Sequence, residues 1–157
     1  MSQTSNERDA HFMRLAIEGA RRAGARGDRP YGAVLVDGDG QVLAEGENNT
    51  ATTADITGHA ETNLLRGALR HYTGAQLADC TLYASGEPCA MCAVVIYSSG
   101  VGRVVYGASA PATQALVGGP ADRLDLRCAD VLARGTRRVQ VDGPFLEDEA
   151  LQVFEAW

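Results

Sequence analysis

The sequence predicts a three-layer α/β domain built on a mixed sheet. Three observations predict it. Apolar residues switch between helical and strand spacing in the order α-β-β-α-β-α-β, followed by a further α, β and α. The first two strand-like runs flank Asp37-Gly38-Asp39-Gly40, a turn that makes them an antiparallel hairpin. Each later strand follows a helix, the connection that parallel pairing requires. The 157 residues suit one domain spanning 1–157, and 45% of them are hydrophobic, enough for a core.

The start, "MSQTSNERD", is polar and carries no apolar signal region, so residues 1–8 are expected to be flexible. The run "AHFMRLAIEGARRAGA" repeats Phe12, Leu15, Ala16, Gly19 and Ala20 at helical spacing, and "GDRP" ends it. "YGAVLVDGDGQVLAEGENN" holds the hairpin, and "TADITG" reads as a loop. "HAETNLLRGALRHY" predicts a helix with Leu64, Leu65, Ala68 and Leu69 on one face. "CTLYAS" is a strand. "PCAMCAVVIYSSG" predicts a buried helix with Pro88 in its first turn. "GRVVYGAS" is the next strand. "LDLRCADVLARG", "RRVQVDG" and "LEDEALQVFEAW" predict a helix, a strand and a closing amphipathic helix. Cys80 and Cys128 read as core thiols.

No apolar run approaches the ~20 residues of a membrane span. A cytoplasmic location with reduced cysteines follows as an expectation. The formal charge is −6. A protein living on nucleic acid usually shows a basic face. The arginine clusters at 21, 22 and 26 and at 134, 137 and 138 read as solvated surface, so a small substrate suits the balance better.

Two motifs carry chemistry: His59-Ala60-Glu61, and Pro88-Cys89-Ala90-Met91-Cys92. Cys89 and Cys92 stand at i and i+3, on one face of a helix start, where thiolate is favoured. His59 opens the preceding helix in the same way. Helix starts after parallel strands gather at one sheet edge, so one metal can meet all three. Zinc favours nitrogen and sulfur, and a catalytic zinc keeps its fourth position for water, which it makes acidic near neutral pH. One Zn2+ per chain is expected, with Glu61 as proton shuttle and not as ligand. Two other classes compete. A structural zinc scaffold would call for a fourth protein ligand, and His11 and His71 lie outside any ligand pattern. A redox C-x-x-C protein would bind no stoichiometric zinc.

The H-x-E and P-C-x-x-C pair resembles the zinc-dependent cytidine/deoxycytidylate deaminase superfamily. The resemblance runs from about residue 10 to 108 and includes "PYGAVLV", "AEGENN" and "TLYASGEPCAMC". It is nearest the branch of guanine deaminases, fungal-type cytosine deaminases and tRNA adenosine deaminases. It implies a cytidine deaminase-like α-β-α fold with a five-stranded mixed sheet, and a homodimer. It also implies His59, Cys89 and Cys92 as ligands, Glu61 as acid/base, and Asn48 as a substrate contact. Tyr31, the Ala60 amide and the backbone at Gly86 or Glu87 are implied as further contacts. In guanine deaminases a swapped C-terminal segment completes the partner's pocket. By that likeness Glu147, Asp148 or Glu149 would bind a substrate N–H, and Phe154 or Trp157 would wall the ring. The plainer reading is that these acids start the last helix and these aromatics pack. The stretch "NNTATTADITGHAE" is similar to the guanine-deaminase style. Guanine is therefore the expected substrate, within purine metabolism, ahead of cytosine, a guanine analogue or a nucleoside. tRNA adenosine ranks below these.

Overall fold

The computed structural model describes residues 4–157. A five-stranded sheet forms from β1 (Gly32–Val36), β2 (Val42–Glu47), β3 (Thr81–Gly86), β4 (Arg103–Ala108) and β5 (Gln140–Asp142), in the order β2-β1-β3-β4-β5. β1 is antiparallel to both β2 and β3, while β3-β4 and β4-β5 are parallel. The sheet is mixed, as the hairpin and the later β-α-β spacing predict.

Alternation along the strands separates two cores. Val34, Val36, Tyr83 and Val105 face one side, against Phe12, Met13, Ala16, Ile17 and Ala20 of α1 (Ser5–Ala25) and Ala150 of α8 (Glu147–Gln152). Ala33, Leu35, Leu82, Ala84 and Val104 face the other. There they meet α3 (Ala60–Ala68), α5 (Ala90–Ser99) and α7 (Cys128–Ala133). Strand residues at period two thus feed two helical layers. Cys80 and Cys128 are buried in the second core.

Several expectations are corrected. The first turn of α1 takes in Ser5–Arg8, because Thr4 and Glu7 form a capping box; residues 1–3 lie outside the described residues. Pro88 lies before the N-cap Cys89 and outside the first turn of α5. The helix after His59 ends at Ala68, short of His71, and α4 (Gly74–Leu77) follows under its own Thr73 cap. Three helices were not anticipated: α4, α2 (Thr50–Thr53) and α6 (Ala110–Val117). No helix among the described residues is long and apolar enough to cross a membrane.

One feature sets α3 at the edge where β2, β3 and β4 end, and another ties α1 to the opposite end of the sheet, where β4 begins. At Gly46 a Cβ would collide with the Ala60 carbonyl oxygen, and would lie 2.8 Å from Leu64 Cβ. Only a glycine there lets α3 rest directly on β2. Beneath the sheet, Arg103 grips Asp9 with both guanidinium ends (2.9 and 2.8 Å), and the Tyr83 hydroxyl donates to Asp9 at 2.7 Å. Burial pushes the Asp9 carboxyl upward, but Arg103 and Tyr83 outweigh it and hold it below 3.8. A depressed folded value means that this stability is present above the unfolded pKa and is lost as pH falls through the folded one. Asp9→Ala should cost about 2 kcal/mol at pH 7, less than the ~3–5 of a fully buried pair, since Arg103 keeps 24% of its side chain exposed. Urea melts at pH 7 and pH 3 check this: the gap between variant and wild type should shrink at the lower pH.

Candidate metal centre and cavity

β2 and β3 deliver their following helices to the same edge. His59 is the N-cap of α3 and Cys89 the N-cap of α5, and neither side chain caps its own helix. Cys92 follows one turn in. His59 Nδ1 lies 3.5 Å from Cys89 Sγ and 3.5 Å from Cys92 Sγ. All three donor atoms fall within 4.8 Å of one another. Two sulfurs and one imidazole nitrogen, left free by the backbone, are a donor set that zinc prefers, with a fourth position open. The trio fits a zinc ion. Thr62 Oγ1 adds a 3.5 Å contact to Cys92 Sγ.

Charge at the centre is unevenly shared in the free side chains. Cys89 is drawn down to about 4, first by contact with the Cys92 thiol and then by His59. Cys92 is pushed up by Cys89 and by burial. His59 is raised, chiefly by Cys89. A dication binding here would release the remaining protons. Glu61, in the first turn of α3 and only 5% exposed, is raised to about 7, and burial is the chief cause. It is no member of the donor trio. Its carboxyl can hold or release a proton near neutral pH, which is what a shuttle requires.

His59, Glu61 and Cys89 floor a cavity of about 390 Å3. Tyr31, Asn48, Ala60 and Gly86 line its sides. Tyr31 fits because Gly86 has no Cβ, which would stand 2.6 Å from the ring. Asn48 is buried and firmly held. Its Oδ1 accepts from the Thr50 amide and hydroxyl (3.1 and 3.0 Å), and its carbonyl accepts from Arg26 at 2.8 Å. Arg26 in turn pairs with Asp28, which accepts from Thr52. The Asn48 amide nitrogen keeps no partner among the described residues, so it can donate to a ligand. The Ala60 N–H belongs to the first-turn amides that a helix leaves open.

The C-terminal residues lie away from this chain's own cavity. Glu147, Glu149, Phe154 and Trp157 do not line this chain's cavity, and neither does Asp148. Glu147 accepts from the Ser109 amide at 2.7 Å, and Glu149 pairs with Arg14 on the surface. Phe154 packs edge-on behind Tyr31, with ring centroids 5.6 Å apart, and Trp157 lies against Phe154. The plainer reading of these residues holds within the chain. Glu87 borders the cavity, but its carboxylate is taken up by the chain itself. Burial pushes that carboxyl upward, and Arg127 with the Ala110 and Cys128 amides more than offsets it.

Sequence reasoning missed the outer wall. Thr113, Gln114 and Val117 of α6 and Pro120, Leu124 and Leu126 after it line the cavity, with Arg29 and Arg123 beside them. A signal was present: Ser109 caps α6, Pro111 sits in its first turn, and Gly118 ends it.

Comparison with known proteins agrees with this geometry. Residues 6–108 match the family description "Cytidine and deoxycytidylate deaminase zinc-binding region". A probable cytosine deaminase of Schizosaccharomyces pombe is 35% identical over 154 residues, covering 96% of this chain and 93% of that one. A guanine deaminase of Bacillus subtilis is 47% identical over 94 residues, covering 60% of this chain and 58% of that protein's length. A solved structure from work on A-to-I editing by tRNA:A34 deaminases superposes with a TM-score of 0.72 at 34% identity, over 92% of this chain and 99% of the other.

Proposed function

The chain belongs to the cytidine and deoxycytidylate deaminase family of zinc-binding hydrolases, and from that premise we propose that it hydrolytically deaminates an amino-substituted nucleobase or nucleoside, with guanine first. The observation that carries the reading is the buried Glu61 beside the His59, Cys89 and Cys92 trio, on the floor of a cavity lined by Asn48. Zinc, held by those three residues, would supply the Lewis acidity that makes water nucleophilic near neutral pH. The chain's own groups do the rest. Asn48 Nδ2 and the Ala60 amide donate to acceptors on the heterocycle and fix its edge. Glu61 takes a proton from the attacking water and passes it to the ring nitrogen, then takes the second proton from the added hydroxyl as the carbonyl forms and gives it to the departing amine. Water adds at the carbon, the carbon–nitrogen bond breaks, and ammonia leaves. Tyr31 and the outer wall exclude solvent.

Guanine comes first because the "NNTATTADITGHAE" stretch is similar to the guanine-deaminase style, and because the bacterial guanine deaminase is 47% identical over 94 residues. Cytosine stands next on the full-length likeness to the yeast protein. tRNA adenosine stays third, since the cavity lining offers only two arginines and the chain is acidic. A homodimer belongs to the same reading: Val94 of α5 stands 54% exposed, apolar surface that a second copy would cover. Ammonia release by zinc-loaded protein across guanine, cytosine, adenine, their nucleosides and a tRNA anticodon stem-loop tests the substrate, and light scattering tests the assembly. Guanine should lead. Silence on every compound would remove the nucleobase reading, and a monomer would remove the dimer.

A further inference from the structure

We propose that Glu87 is a positioning residue for substrate selectivity: its carboxylate fastens the outer wall of the cavity, residues 110–127, to the helix start that carries Cys89. The selectivity part rests on the deaminase reading; the fastening does not.

The Glu87 side chain is only 3% exposed. Its Oε1 accepts from Ala110 N at 2.9 Å and from Arg127 Nε at 2.9 Å. Its Oε2 accepts from Arg127 Nε at 2.7 Å and from Cys128 N at 3.3 Å. Ala110 begins the wall, and Arg127 and Cys128 close it. One carboxylate therefore binds both ends of the same excursion. Its own amide donates to Ala108 O at 2.8 Å, which fixes it to the end of β4. Cys89 lies two residues on, so the wall and the metal centre share one short backbone segment.

Between its ends the wall has little to hold it. Leu116, Val117, Leu124 and Leu126 are exposed, Leu124 by 77%. Thr113 is buried, but its hydroxyl bonds only Ser109 O within α6. Apolar burial does not set the wall's position, so the charged tether does. The wall carries Gln114 into the cavity lining, and its amide has no hydrogen-bond partner among the described residues. A shift of the wall moves that amide relative to Asn48, and with it the fit of whatever lies beyond the reacting carbon. The fold survives without the tether. Ser109 stays held by Glu147, and Cys128 stays in the core.

Contacts to the unreacting part of a substrate act on ground state and transition state alike, so their loss raises KM more than it lowers kcat. The experiment compares wild type with Glu87→Ala, Glu87→Gln, Arg127→Met and the Glu87→Ala/Arg127→Met pair. It reads zinc content, amide hydrogen exchange over 110–127, and kcat and KM on the best two substrates. Glu87→Ala should keep its zinc, speed exchange in the wall and raise KM about tenfold, the worth of a charged hydrogen bond. It should change kcat less than about threefold and narrow the preference between the two substrates. Glu87→Gln keeps an acceptor for Ala110 and should recover part of the loss. The double variant should be no worse than Glu87→Ala alone. Faster exchange with unchanged KM and unchanged preference would overturn the selectivity role. So would a fall confined to kcat. Unchanged exchange would overturn the tether itself, and that result stands even if the wild type turns over none of the panel, an outcome that instead removes the nucleobase reading.

Discussion

Glu61→Gln should lower ammonia release by about 10²–10⁴-fold while one zinc per chain stays bound. The amide has nearly the carboxyl's shape, so the buried site in the first turn of α3 remains filled. What it lacks is a transferable proton in the range where the Glu61 carboxyl sits, pushed up to about 7 by burial. Both proton moves of the reaction pass through that group in the proposed mechanism, so neither is left intact. Metal analysis beside the rate assay separates the roles. Loss of zinc with the carboxylate would make Glu61 a ligand. Retained zinc with near-normal turnover would remove it from the chemistry.

The second large effect is expected from Cys92→Ala. Its sulfur is wholly buried, one of only three donor atoms in the cluster, and 3.5 Å from the His59 nitrogen. Changes to groups that merely orient a metal ligand cost about 10–100-fold in affinity or activity; removing a ligand outright should cost more. Dialysed Cys92→Ala protein should hold well under one zinc per chain and show background turnover. Its melting temperature should match that of wild type treated with a chelator, because both lack the same ligand-derived stability. A variant that keeps full zinc would show that the cluster is not the metal site. Reversible oxidation of Cys89 and Cys92 to a disulfide, without bound zinc, would favour the redox alternative.

The centre was legible in the sequence because it is local. His59-x-Glu61 and Cys89-x-x-Cys92 each lie within one helical turn, and each follows a strand that periodicity reveals. The hairpin was legible for the same reason, since a two-sided apolar run around Asp-Gly fixes its own turn. The outer wall was not. It owes its position to Glu87, whose partners lie 23, 40 and 41 positions away, and no period or spacing encodes such a contact. Glu87 itself reads as an ordinary first-turn acid until the fold brings Arg127 to it. Glu147 is the reverse case. Its acid run suits a substrate contact, yet the backbone of Ser109 claims it first. Helix α6 was missed although its cap, proline and terminal glycine were all present, because the short span between them carries little apolar pattern.

The two helix starts at the centre have a consequence for how the protein is completed. Thr4, Thr73 and Ser109 close α1, α4 and α6 with their own side chains, while Asn49, Arg127 and Leu146 leave α2, α7 and α8 without a side-chain cap. His59 and Cys89 occupy the same position in α3 and α5 and likewise leave them without one. Neither apolar core includes either residue, or Cys92. The sheet and both cores are thus closed by other residues, and a chain without the ion is expected to keep them and to lack only the links at the cavity floor. The ion would then join the starts of α3 and α5 to each other, so a chain starved of metal would be unfinished and not misfolded.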